Sequence, residues 1–202
     1  MPGRARPSPA ARCVSVANGP LAGGVSYTRA VELRDGDLVL RPWTEDDVPA
    51  IVEGCDDPEV AYWIPMIPHP YTEADALAFI RDEVLPGQLK LAIELDGAVV
   101  GGIGMGVNAH GYRGTTGYWM AAGSRGRGVC TRALRLVARH ALEKRGLQRV
   151  DLTTDPDNLA SQRVAEKVGF RREGVLRAHL RHPDGRIRDS VMFSLLPGEL
   201  VD

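Results

Sequence analysis

A turn rich in glycine and arginine lies between a predicted strand and a predicted helix. The aromatic run Thr116–Met120 is strand-like, and Arg125-Gly126-Arg127-Gly128 follows it after a short turn. The first N–H groups of a helix lack internal partners and lie at the positive end of the helix dipole. Gly126 and Gly128 have no Cβ atom that would keep a ligand off the backbone. The pattern predicts a phosphate or pyrophosphate site, with mobile positive charge from Arg125, Arg127 and Arg132.

The helix after this turn is predicted from apolar residues at three- and four-residue spacing, namely Cys130, Ala133, Leu134, Val137, Ala141 and Leu142. The turn lacks the Gly-Lys-Ser/Thr of a Walker loop, and Thr131 stands where a dinucleotide fingerprint has its third glycine. Gly-x-Gly alone is also compatible with a tight strand–helix turn that carries exposed arginines. The residues of the turn leave both interpretations open.

Two motifs in order along the chain resemble those of the GNAT (Gcn5-related) N-acetyltransferases. Arg125-x-x-Gly128-x-Cys130 resembles the pyrophosphate loop of that family. Asn158-Leu159-Ala160-Ser161 followed by Glu166-Lys167-Val168-Gly169-Phe170 resembles its second acetyl-CoA motif. Leu40-Arg41-Pro42-Trp43-Thr44 and Gly117-Tyr118-Trp119 resemble the RimJ/RimL branch, which acetylates protein N-termini and other amines. The resemblance covers roughly Leu38 to Leu200.

The resemblance implies an α+β fold. It consists of a mixed, mostly antiparallel sheet of six to seven strands, splayed at its centre, with about four flanking helices. The right-handed crossover rule makes Arg149–Thr154 parallel to Arg113–Met120. Where two such strands diverge, a pantetheine arm can hydrogen-bond to the exposed backbone as a pseudo-strand. By resemblance, these backbone contacts are expected from Trp119, Met120 and Ala121.

The resemblance also names the cosubstrate and the residues that would hold it. Acetyl-CoA is expected, without a metal. Lys167 is expected to reach the nucleotide end, and the pyrophosphate is expected on Arg125, Gly126, Arg127, Gly128, Val129, Cys130 and Thr131.

Acetyl transfer to an amine requires a neutral amine, a hydrogen-bond donor for the oxyanion and a proton for the leaving thiolate. Ser161 is the candidate for the thiolate acid or for a donor near the sulfur. Asn158 is the candidate for holding the pantetheine amide or the carbonyl, and a strand N–H near Met120 is the candidate oxyanion donor. Without the resemblance, Asn158 would more simply close an Asx turn and Ser161 would cap a helix.

The residue at the position of the family's general base departs from the family pattern. Relatives often carry an acid where this chain has Thr115 or Thr116, and neither hydroxyl takes a proton at neutral pH. Glu94 and Asp151 lie on predicted strands and would equally well point to solvent. An α-amine has a pKa near 7.7–8.0 and is partly neutral without a strong base, whereas a lysine amine needs more help. The missing acid therefore favours an N-terminal or other amine of low pKa.

The acceptor side is predicted from Val60–Tyr71, a segment rich in large apolar residues and interrupted by three prolines, which forbid a long regular element. In the family this loop helps to form the acceptor-amine site. Tyr62, Trp63 and Tyr71 are the candidate contacts, although a loop packed over the core edge is an equal alternative. The predicted function is direct transfer of acetyl to a protein or peptide N-terminal amine in a ternary complex. The alternatives are a small-molecule acceptor such as an aminoglycoside or polyamine, and a non-catalytic acyl-CoA-binding module.

Cysteine and histidine offer two further possibilities. Cys130 stands where Gly or Ala is usual, and a thiolate is favoured at a helix N-terminus, so either a reactive cysteine or a small residue in place of alanine is expected. His179-x-x-His182 has the spacing of a metal pair, but no cysteine or further histidine lies nearby, which favours a hairpin surface. The three cysteines form no disulfide or zinc pattern, which favours a cytoplasmic location.

Length and charge limit the remaining classes. A chain of 202 residues is long enough for one ordinary domain, expected over residues 31–202. Residues 1–30 contain no acid and no apolar period, which predicts a disordered tail. The formal net charge of −1 argues against a general nucleic-acid binder, and no apolar run is long enough to span a bilayer. A homodimer is possible, because dimers are common in the family.

Overall fold

The computed structural model describes residues 31–85 and 87–202. The tail predicted over residues 1–30 lies outside the described residues. Eight strands form one mixed sheet in the order β1-β2-β3-β4-β5-β6-β8-β7. Their bounds are β1 Leu33–Asp35, β2 Leu38–Pro42, β3 Leu89–Leu95, β4 Ala98–Val107, β5 Arg113–Met120, β6 Arg149–Thr154, β7 Arg171–Arg181 and β8 Ile187–Leu195. The strand beyond the predicted seven is β1, a short edge strand paired with β2.

Five α-helices lie in the described part of the chain: α1 Val48–Cys55, α2 Pro58–Trp63, α3 Glu73–Arg81, α4 Val129–Arg139 and α5 Leu159–Val168. A π-helical turn, His140–Lys144, extends α4. The prolines of Val60–Tyr71 are expected to forbid a long regular element, and the segment begins with the end of the short helix α2. Pro58 stands in the first turn, where its missing N–H is not needed, and Asp57 accepts the N–H of Glu59 at 2.7 Å.

The sheet buries a different cluster on each face. On one face, α4 packs against β1, β2 and β4, and α5 packs against β6 and β7. Alternate strand residues such as Val150, Leu152 and Phe193 are buried in this cluster. On the other face, α1 and α3 cover the first half of the sheet. There Trp43 and Trp119 stack with ring centroids 6.3 Å apart, beside the buried Ile51. No helix within the described ranges is long and apolar enough to cross a membrane.

The two central strands diverge. The parallel pairing of β5 with β6 begins at Arg113 with Arg149 and ends at Thr116 with Leu152. Beyond that point β5 continues on β4, where Met120 is opposite Gly101, and β6 continues on β8, where Thr154 is opposite Val191. Each strand is therefore held on its outer side while a gap opens between them. The predicted parallel neighbours and their splay are both present.

Gly169 ends α5 with φ of 106°, and a Cβ atom there would lie 2.2 Å from the backbone oxygen of Glu199. Gly146 is also left-handed, with φ of 68°, but a Cβ atom there would meet nothing within 4 Å. We expect Gly169→Ala to lower the free energy of unfolding by about 1–3 kcal/mol more than Gly146→Ala, because only the former adds a steric clash to the backbone strain. Urea unfolding followed by circular dichroism measures both. Equal losses would show that the chain around Glu199 does not pack against α5.

Candidate active site

The loop before α4 presents an open helix N-terminus. Gly126 and Gly128 adopt left-handed conformations, with φ of 72° and 79°, which other residues adopt only at a cost. Gly128 is the N-cap of α4, and no side chain of the described chain caps the helix there. A Cβ atom at either glycine would meet nothing within 4 Å. The first N–H groups of α4 therefore border open space, as an anion site requires.

Two of the three arginines expected to supply mobile charge are held by carboxylates, so that expectation is wrong for them. The Arg125 guanidinium donates to Asp57 at 2.7 Å and to Glu59 at 2.5 Å. Arg132 donates to Asp35 and Asp37, each at 2.7 Å. The side chain of Arg127 is exposed and makes no hydrogen bond or ion pair with the residues that the structure describes.

The remaining loop residues differ in what they expose. The side chain of Val129 is buried in the core, which leaves only its backbone available to a ligand, and Thr131 is half-buried. Lys167 is exposed in the last turn of α5. Burial raises the pKa of the Cys130 thiol well above its usual range, so that the thiol stays protonated. Cys130 packs against the main core, as a small residue in place of alanine would, which favours that alternative over a reactive cysteine.

Backbone groups of β5 face the gap at alternate residues. The N–H of Ala121 donates to the carbonyl of Val100 on β4 at 2.9 Å. Because hydrogen-bonded and non-hydrogen-bonded pairs alternate in an antiparallel ladder, Trp119 also pairs with β4, whereas Tyr118 and Met120 direct their backbone groups towards the gap. The carbonyl of Met120 accepts the Nε–H of Arg125 at 3.1 Å. Of the three residues expected to contact the pantetheine arm, only Met120 presents a backbone N–H to the gap.

Ser161 and Tyr118 meet beside this gap. The Tyr118 hydroxyl lies 3.0 Å from Ser161 Oγ. Burial, together with the nearby Cys130, raises the pKa of Tyr118 far above its usual value, so that the phenol stays protonated. Asn158 Oδ1 accepts the N–H of Ser161 at 3.0 Å, so Asn158 is the cap of α5. Sequence reasoning missed Tyr118 as a site residue, and its position two residues before Met120 on the same strand face was the available signal.

Four carboxylates that are candidate bases or lie beside the loop are held in ion pairs. Besides Asp57 and Glu59, Asp151 is buried and approaches Arg149 at 2.6 Å and Arg113 at 2.9 Å. Glu94 accepts from Arg41 at 2.6 Å. The idea that Glu94 and Asp151 point freely to solvent is therefore wrong. Thr116 is buried and its hydroxyl donates to the carbonyl of Gly104 at 2.8 Å, whereas Thr115 is exposed.

The three aromatic candidates on the acceptor side separate into two groups. Tyr62 and Trp63 lie on α2, with their rings edge to face at 4.7 Å, and Tyr62 is 46% exposed. Tyr71 is buried with Trp43 and Trp119, and its N–H donates to Asp56 at 2.7 Å. The alternative of a loop packed over the core edge therefore describes Tyr71, while Tyr62 remains accessible.

The two histidines of the β7–β8 hairpin do not converge as a metal pair. His179 is exposed and its Nδ1 lies 3.0 Å from Ser190 Oγ. His182 is buried rather than on the hairpin surface, and its Nδ1 lies 3.3 Å from Nη2 of Arg186. Across residues 31–85 and 87–202, no group of three or more His, Cys, Asp or Glu side chains has the arrangement of a metal site.

Comparison with known proteins gives the class. The family model "Acetyltransferase (GNAT) domain" matches residues 37–171. The uncharacterized N-acetyltransferase p20 of Bacillus licheniformis is 26% identical over 179 residues, which cover 85% of this chain and 92% of that relative. The structure of Mycobacterium smegmatis RimJ in complex with CoA-disulfide has a TM-score of 0.74 at 30% identity, covering 86% of this chain and 89% of that one.

A structure of the ribosomal L7/L12 α-N-protein acetyltransferase RimL shares the fold, with a TM-score of 0.74 at 17% identity, covering 82% of this chain and 98% of that one. The protein is therefore an acetyl-CoA-dependent N-acetyltransferase. It belongs to the GNAT acetyltransferase family, and the expected mixed α+β fold is confirmed. The non-catalytic alternative is not supported.

Proposed function

We propose that this enzyme transfers the acetyl group of acetyl-CoA to the α-amine of a protein or peptide N-terminus. The RimJ/RimL-like motifs at Leu40–Thr44 and Gly117–Trp119 support this acceptor class, as does the 30% identity to RimJ. The observation that carries the proposal is the ion-paired state of Asp151, Glu94, Asp57 and Glu59. Carboxylates held by arginines are poor bases, and an amine that is already partly neutral near pH 8 depends less on a base.

The cosubstrate lies across the loop and the gap in this proposal. Backbone N–H groups from Gly126 to Thr131 hold the pyrophosphate, and Arg127 supplies the free positive charge. The pantetheine arm enters between β5 and β6 and accepts the N–H of Met120. Lys167 approaches the nucleotide end. Asn158 keeps the first turn of α5, and with it Ser161, at the edge of the gap.

The chemical step is direct attack. The neutral amine forms the C–N bond at the acetyl carbonyl, and the C–S bond breaks as the thiolate leaves. A strand N–H near Met120 stabilises the oxyanion. The Ser161 hydroxyl gives its proton to the thiolate and is reprotonated through the Tyr118 hydroxyl, 3.0 Å away, which regains its own proton from solvent. The amine proton passes to solvent. Tyr62 and Trp63 contact the acceptor, and Tyr71 supports them from the core.

Two matched substitutions of Gly128 test whether the loop binds the pyrophosphate. Asn and Asp both tolerate left-handed backbone and have nearly the same shape, so Gly128→Asp differs from Gly128→Asn mainly by one negative charge. Saturating CoA should raise the Tm of the wild type and of the Asn variant by mass action. It should leave the Tm of the Asp variant unchanged, because the carboxylate repels the pyrophosphate. Equal Tm shifts in the two variants would remove the loop from the cosubstrate site.

Removing the hydroxyl groups of Ser161 and Tyr118 tests whether Ser161 protonates the leaving thiolate. Ser161→Ala should lower kcat by about 10²-fold, since a positioned acid contributes at least that much. Tyr118→Phe should also lower kcat, and the double variant should fall little below Ser161→Ala because the two groups act in series. The Tm increase with CoA should be retained in each variant. Full kcat in Ser161→Ala would exclude it as the acid.

A peptide panel tests the acceptor class. Near pH 7, the neutral fraction of an α-amine exceeds that of a lysine amine by on the order of 10²-fold. We expect peptides with a free N-terminus to be acetylated at that amine, at a rate that rises with pH until the α-amine is deprotonated. N-terminally blocked peptides that contain lysine should be poor acceptors. Faster acetylation of a lysine, a polyamine or an aminoglycoside would contradict the proposal.

A further inference from the structure

The β7–β8 hairpin reaches across the acceptor side of the gap. At its tip, the Arg186 guanidinium lies 5.2 Å from the ring centroid of Tyr62 on α2. Near the beginning of β8, Arg188 Nη1 donates at 2.9 Å to Asp155, the residue directly after β6. One contact therefore joins the hairpin to the side of the gap formed by α2, and the other joins it to the end of β6.

Arg188 lies on the sheet face opposite α5. Val191, Phe193 and Leu195 of β8 are buried in the core that includes α4 and α5. Successive side chains of a strand point to opposite faces, so Ser190 and Arg188 belong to the other face. This is the face whose first half is covered by α1 and α3. The amine must enter from that side, since Ser161 and Tyr118 occupy the α5 side.

Two buried N–H groups in this hairpin lack acceptors among residues 31–85 and 87–202. A guanidinium only donates, so Arg186 makes Nδ1 of His182 an acceptor and leaves the hydrogen of the neutral ring on Nε2. Burial, Arg186 and Arg188 lower the pKa of His182, which keeps the ring neutral. His182 is only 6% exposed. Neither His182 Nε2 nor Arg188 Nε has a hydrogen-bond partner among the residues that the structure describes.

An unmet buried donor is costly, and each such group in a native protein calls for an explanation. A carbonyl oxygen has two lone pairs and accepts two hydrogen bonds. In a peptide N-terminus, one carbon atom separates the first carbonyl from the α-amine. A carbonyl held beside the gap would therefore fix the direction of the amine, and polyamines and aminoglycosides have no such group.

We propose that His182 Nε2–H and Arg188 Nε–H bind the first carbonyl oxygen of the acceptor peptide. This subsite rests on the proposed function and names the group that distinguishes an N-terminus from other amines. The hairpin covers both N–H groups, so the acceptor reaches them when Arg186 leaves the ring of Tyr62. Asp155 acts as a positioning residue because it holds Arg188.

The test uses the best peptide of the panel and its analogue with sulfur in place of the first carbonyl oxygen. The sulfur atom is a weaker hydrogen-bond acceptor than oxygen, and the two peptides have nearly the same shape. The wild type should prefer the oxygen peptide in kcat/KM by about tenfold, the value of one or two hydrogen bonds. His182→Phe and Arg188→Lys should acetylate both peptides at similar, lowered rates. Lysine keeps the charge beside Asp155 but lacks the guanidinium Nε–H. Arg177→Lys, an exposed change on β7, should keep the wild-type preference.

The outcomes separate the two proposals. If the wild type acetylates both peptides equally, or both variants keep its preference, the subsite is wrong while the N-terminal acceptor stands. If no peptide N-terminus is acetylated and another amine is, the acceptor class and the subsite are both wrong. Because acetylation of the sulfur peptide also shows that a variant is folded, loss of preference in either active variant supports the subsite.

Discussion

The separation of β5 from β6 after Thr116 and Leu152 is the constraint on which the site depends. A sheet normally satisfies its backbone groups by pairing, and here β4 and β8 satisfy only the outer sides of the diverging strands. The unpaired inner side gives the molecule a place where a ligand with amide groups can complete the ladder. The glycine loop, α5 and the hydroxyl pair all stand at this opening.

Arginine contacts hold the surroundings of the gap in place. Arg125 joins the end of β5 to α2 through the Met120 carbonyl, Asp57 and Glu59. Arg188 joins β8 to the residue after β6. These side chains fix the acceptor side relative to the cosubstrate side, and they also occupy the carboxylates that would otherwise serve as bases. The same ion pairs thus support the geometry and favour an acceptor of low pKa.

Much of the fold could be predicted from local sequence. The bounds of β5 and β6 follow from their apolar pattern and flanking turns, and the left-handed glycines of the loop follow from Gly126 and Gly128 themselves. The partners of Arg125 and Arg132 could not be predicted, because those carboxylates lie between 66 and 97 residues away in the chain. The strand position of Tyr118 indicates its face, but its pairing with Ser161, 43 residues further on, could not be predicted for the same reason. Such pairs depend on tertiary packing, which local periodicity does not encode.

Amide hydrogen exchange with and without CoA, resolved by residue with NMR, tests the central claim most directly. The N–H of Ala121 already pairs with β4, so its exchange should change little. The N–H of Met120 faces the gap, and bound CoA should slow its exchange strongly. Exchange at Met120 that stays fast when CoA is bound would show that the arm does not lie between the two strands.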